Sequence, residues 1–137
     1  MTVTDRALST VVTRRHPGSA PIILQFTTIA ALTAAADKWR WIVPFDGVIV
    51  DVLVDSETAG SGGVSDIADI HLNGTTIFTT QANRPTLLVG DTGAWTKAGK
   101  PEIVKVSAGD ILTYDIDQIA TTGSAKNTVC IIIAATR

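Results

Sequence analysis

Reactive side chains are scarce in this chain. One cysteine, one methionine and two histidines in 137 residues exclude an intramolecular disulfide framework and a cysteine-rich zinc site, and leave little for acid–base or metal chemistry. Charge is thin as well: Asp, Glu, Lys and Arg make up 18% of residues, where about 25% is usual. Eleven basic against thirteen acidic residues give a net charge of −2. Nothing in that balance attracts phosphate, so no nucleic-acid partner is expected. The longest apolar run is Val129 to Ala135, too short to span a membrane, so none is expected as a partner. Met1 to Thr13 carries Asp5 and Arg6 early and lacks the apolar stretch of a secretory signal. Synthesis in a cytoplasm is therefore expected, with the final location open if the chain enters a particle.

Apolar residues are abundant instead: 45% hydrophobic, with a mean hydropathy of +0.30. Disordered chains fail for want of apolar surface to bury, so an ordered chain is expected, and the length suits one domain. A small domain with so few charges needs somewhere to hide apolar surface. Another subunit is one such place.

Met1 to Pro21 differs from the rest. Arg14-Arg15-His16 precedes Pro17, Gly18 and Pro21, which disfavour both a helix and a central strand. We read residues 1–21 as an N-terminal arm, a frayed terminus being the plainer alternative. Its Val3, Leu8, Val11 and Val12 suit an added edge strand on a neighbour. Residues 22–137 read as one domain of short strands. Ile22 to Thr28 is β-branched and aromatic, and Ala30 to Ala36 is a connector with room for one helical turn. In Lys38 to Val43, Trp39, Trp41 and Val43 share a face. In Val48 to Asp55, the alternation puts Val48, Val50, Val52 and Val54 on one face. Asn73-Gly74 between two strand-like runs is a strong hairpin signal, because both central residues of a type I′ turn need positive φ. Strands follow at Thr86 to Val89, Glu102 to Val106 and Ile111 to Asp117, with a central one at Thr128 to Thr136. About eight short strands spaced by turn residues predict an all-β, jelly-roll-like antiparallel β-sandwich; periodicity alone leaves an immunoglobulin-like sandwich open.

Candidate chemistry is sparse. Gly60-Ser61-Gly62-Gly63 lacks the Lys-Ser/Thr of a phosphate loop and reads as a flexible turn. His71 reads as a solvent-facing strand residue and Cys130 as an inert, buried thiol. Asp66 with Asp69, and Asp115 with Asp117, would bring carboxylates together if their strands are neighbours. Calcium uses such oxygens, but no loop or repeat spacing supports it, and strand-face aspartates are more often solvated or paired with Lys and Arg. No cofactor, metal or catalytic residue is expected, and the chain does not read as an enzyme. Trp39 and Trp41 suit a core or subunit interface better than a sugar platform. Trp95, in a Gly-rich polar loop, suits a subunit contact better than a ligand site. Arg14 and Arg15 suit acidic surface on a neighbour, or plain solvation.

Three stretches resemble small β-rich virion proteins of tailed bacteriophages, of the capsid-decoration and head-fibre type. They are Asn73 to Pro85 (NGTTIFTTQANRP), Ser107 to Ile119 (SAGDILTYDIDQI) and Pro44 to Ile49 (PFDGVI). The resemblance implies a structural virion protein, most often a decoration (cement) protein that binds the major capsid protein and itself, as a homotrimer, on the capsid surface. A carbohydrate- or receptor-binding module of a head or tail fibre is the alternative.

Overall fold

The structure, a computed structural model, describes residues 21–136; the arm expected over residues 1–21, with Arg14 and Arg15, lies outside them save for Pro21. The described residues form ten strands and one 3₁₀ turn, with no α-helix. The strands are β1 (Pro21–Thr28), β2 (Ala35–Ile42), β3 (Gly47–Thr58), β4 (Asp66–Leu72), β5 (Thr75–Thr76), β6 (Thr86–Leu87), β7 (Gly93–Ala94), β8 (Lys105–Val106), β9 (Ile111–Gln118) and β10 (Ala125–Ala135). They make two antiparallel sheets. Sheet A runs β1-β10-β3-β7, with β8 also on β3; sheet B runs β2-β9-β4-β5, with β6 also on β4. Without the two-residue β6 and β8, this is the strand order of a jelly roll. The connector over Ala30 to Ala36 forms no helical turn, and Ala35 already opens β2. The strands expected at Thr86 to Val89 and Glu102 to Val106 shrink to two residues each.

The Asn73-Gly74 turn forms as its chemistry requires, with φ of 50° and 86°, and leads β4 into β5. The alternation read along β3 breaks in the middle. Ile133 pairs with Ile49 but Ile132 pairs with Asp51, so Val50 is an extra residue on β3. One inserted residue inverts every side chain on its far side. Ile49, Val52 and Val54 therefore face the core, while Val48, Val50 and Leu53 face outward. The four valines do not share a face.

Between the sheets, Ile49, Val52, Val54, Val129, Ile131 and Ile133 of sheet A meet Ala68, Ile70, Leu112, Tyr114 and Ile116 of sheet B. At about 25 cal/mol per Å² of apolar surface removed from water, this layer is the main stabilising term. Its open side, between β1 and β2, is filled by aromatics. Phe26 stacks on Trp39 with centroids 5.2 Å apart. Trp39 stacks on Tyr114 at 5.0 Å, and Trp41 meets Phe26 edge-on at 4.8 Å. Burial, with a smaller contribution from the Asp66 carboxylate, holds the Tyr114 phenol far above its ordinary range.

Candidate functional site

The outer faces of the two sheets are the candidate surfaces, and they differ in kind. On sheet B, β4 and β9 are neighbours, and Asp69 lies directly opposite Asp115. The carboxylates flagged in the sequence do meet, with His71 between them. His71 Nδ1 is 3.1 Å from Asp115 Oδ2, and its Nε2 is 3.5 Å from Asp69 Oδ2. Asp69 also accepts hydrogen bonds from the Thr76 hydroxyl at 2.8 Å and the Ile70 N–H at 2.7 Å. Asp115 accepts one from the Asp37 N–H at 3.0 Å. That bond is possible because Asp37, at φ 51°, sits in an irregularity of β2 that turns its backbone inward. Asp117 is held by Arg84.

Burial is the largest influence on Asp69 and pushes its carboxyl above the usual range. The Thr76 and Ile70 hydrogen bonds oppose that shift, Asp117 adds to it, and His71 opposes it. The chemistry available is a histidine flanked by two nearly buried carboxylates. Among the described residues, no group of three or more His, Cys, Asp or Glu side chains is arranged to hold a metal ion. No hydroxyl or thiol nucleophile bonds to His71 among them, so the set lacks the parts of a nucleophile–base pair. It reads as a hydrogen-bonded clamp joining β2, β4, β5 and β9. Asp66, the fourth aspartate, plays a different part: it is buried and accepts the Ala120 N–H at 2.6 Å and the Ser124 N–H at 2.8 Å. It fastens the loop before β10.

Sheet A presents the opposite surface. Ile23 on β1, Ile132 and Cys130 on β10, and Val48, Val50 and Leu53 on β3 all point outward; the rows across the three strands run Ile23–Ile132–Asp51 and Gln25–Cys130–Leu53. Ile23 is 56% exposed and Leu53 is 48% exposed. Beside Leu53 a groove of about 300 Å³ opens against Ala94, Trp95 and Cys130. Two ion pairs are described on this face: Lys97 with Asp51, the Lys97 ammonium also bonded to the Val52 carbonyl, and Lys126 with Glu57 at 3.3 Å. Farther along the same sheet, a wider groove of about 590 Å³ is lined by Thr27, Thr28, Asp55, Glu57, Thr92 and Lys126 among others.

The tryptophans separate. Trp39 and Trp41 are partly buried at the open side of the sandwich. Trp95 is 6% exposed, not displayed on a loop as the sequence suggested. Pairing of β7 with β3 brings it inward, and its Nε1–H donates to Ser56 Oγ at 2.6 Å. Ser56 in turn bonds Asn127 and Ser124 in the buried end of the sandwich. Its indole is therefore mostly spent inside its own chain, with one side left to the groove. Cys130, expected to be buried, points outward on β10; partial burial still pushes its thiol up. The outer face of sheet A as a unit escaped sequence reading. Its signal was present in Val48, Val50 and Leu53, but the bulge scrambles it.

Comparison with family models, with curated proteins and with solved structures gave no match to this chain.

Proposed function

We propose that this chain is a structural virion protein of a tailed bacteriophage. In this reading it is a capsid decoration protein that binds the major capsid protein and stabilises the head shell as a homotrimer. The observation that carries the reading is the outer face of sheet A: Ile23, Val48, Val50 and Leu53 are large apolar side chains exposed to solvent there, with Ile132 and Cys130 half-buried between them. Contiguous apolar surface of this kind marks a protein contact. The turn-and-strand stretches that resemble phage virion proteins lie on both sheets of the same jelly roll and agree with it. The mechanism is binding energy alone: whatever binds the assembled shell and not its dissociated parts stabilises it by mass action.

Purified protein added to phage heads lacking it is expected to co-sediment with them to saturation and to raise the temperature at which they open. Heads that neither bind it nor gain heat resistance overturn the reading. Deleting Met1 to Ala20 is expected to leave a folded domain with weaker shell binding or a less stable trimer. Unchanged binding and sedimentation after that deletion remove the arm from the mechanism.

The wider groove favours a second reading, a glycan- or receptor-binding module of a fibre. Its hydroxyls from Thr27, Thr28 and Thr92 and carboxylates from Asp55 and Glu57 suit a polyol. A glycan array with no hits, or with hits untouched by Asp55→Ala, counts against it.

A further inference from the structure

The outer face of sheet A carries both halves of one contact. The projecting half is Ile23, an exposed, outward-facing large apolar residue on the edge strand β1. The receiving half is the groove of about 300 Å³ beside Leu53, Ala94, Trp95 and Cys130. Ile23 pairs with Ile132 on one side of β10, and Leu53 pairs with Cys130 on the other. The two halves are thus two strands apart, roughly 10 Å across the sheet. A chain cannot seat its own Ile23 in its own groove, but another copy can.

Two observations favour a copy of this chain as the occupant. The first is charge. Where two copies meet, like charges brought together cost several kcal/mol. On this face Asp51 is already neutralised by Lys97. Lys126 is paired with Glu57, and β1, which carries Ile23, has no charged residue to set against Asp55, the one carboxylate among the described residues that line the groove.

The second is the edge of β1. All eight of its residues pair with β10 without a break, and its other edge has no partner among the described residues. It carries no charged residue and no bulge, and its only proline is its first residue. Exposed edges are normally blunted by charge, proline or a bulge. Here the remaining edges are dealt with. β3 is covered by β7 and β8 and β4 by β5 and β6. β2 carries Asp37, Lys38 and Arg40 and a break in register.

We propose that Ile23 of one copy seats in the Leu53–Ala94–Trp95–Cys130 groove of the next, so that three copies close a ring with their sheets A facing the axis. The inference rests on the assembly reading above and deepens it. A contact passed from one patch to a different patch generates a ring when the rotation closes. Two sheets laid face to face would leave the β1 edge in water. Passing the contact around a ring sets that edge against the neighbour, covering edge and groove together.

The test uses the full-length chain in analytical ultracentrifugation at micromolar concentration. The unaltered chain sediments as a trimer. Ile23→Asp removes the projection and Ala94→Arg fills the groove. Both positions are exposed, so each variant keeps the far-ultraviolet circular dichroism and unfolding midpoint of the parent domain while sedimenting as a monomer. Mixed together, the two variants form a 1:1 heterodimer, because one retains an intact groove and the other an intact projection. A trimer that survives Ile23→Asp overturns this placement and leaves the assembly reading standing. A parent chain that is dimeric, or variants that do not combine, overturns the ring. A monomeric parent chain overturns both the ring and the trimer, while binding to phage heads still tests the shell reading separately.

Discussion

The two outer faces of this sandwich have the same strand geometry and opposite chemistry. On sheet B, Asp69, His71, Asp115 and Thr76 spend their polar groups on one another, and the edge strand β2 is charged and irregular. On sheet A, Ile23, Val50, Leu53 and Ile132 offer water nothing to bond, and the edge strand β1 is neutral and regular. Among the described residues, the polar groups of sheet B's outer face are satisfied within the chain, whereas sheet A's outer face leaves apolar side chains exposed. The difference teaches where stability and association reside. Substitutions on the polar face should unfold the domain, and substitutions on the apolar face should leave it folded but alone.

The comparison can be broken by measurement. The largest expected effect is Asp115→Ala, which strips a nearly buried acceptor from the Asp37 N–H and from His71. It should cost about 3 kcal/mol in urea unfolding. A loss below about 1 kcal/mol would mean that the clamp does not hold sheet B. Thr76→Val comes next, at about 1.5 kcal/mol, because it removes a hydroxyl donor from a carboxylate while keeping the shape.

The third prediction concerns pH. Burial raises the Asp69 carboxyl in the folded state, so folding favours its protonated form. Its contribution is fully present below the unfolded carboxyl value of about 3.9, and is lost as pH rises through the raised folded value. Asp69→Asn keeps an oxygen acceptor and cannot ionise. Its stability relative to the parent chain should therefore climb as pH rises above about 4. A relative stability that falls over that range would show that His71 outweighs burial.

On the apolar face the expected effects on unfolding are small. Leu53→Glu should change stability by no more than about 0.5 kcal/mol while abolishing self-association. A large loss would mean that the face is part of the fold rather than a contact. The smallest effect is kinetic. Partial burial raises the Cys130 thiol, so less thiolate is present at neutral pH. Its modification by a disulfide reagent should be slower than that of free cysteine, and slower still if the proposed trimer covers it.

Local features were legible because their causes are local. Asn73-Gly74 is a turn in any context, since its φ values are set by those two residues. The strand-rich pattern and the want of reactive groups were equally plain. The meeting of Asp69 and Asp115 was legible only as a condition, since it depends on β4 and β9 being neighbours. The bulge at Val50 was not legible: it is a mismatch between β3 and β10, and neither strand records it alone. Trp95 misled for the same kind of reason. Its neighbours in sequence are polar and glycine-rich, but its partner Ser56 lies 39 residues away.

The sequence by itself therefore determined an all-β domain with a hairpin at Asn73-Gly74, a central β10, and little to do chemistry with. These follow from residue types and their period. Only the tertiary structure decided which valines face water, that Trp95 is inside, and that His71 stands between two carboxylates. It also decided that one face and one edge are left uncovered among the described residues. Those outcomes depend on which strands lie side by side and in what register, and a shift of a single residue in register is enough to exchange the inside for the outside.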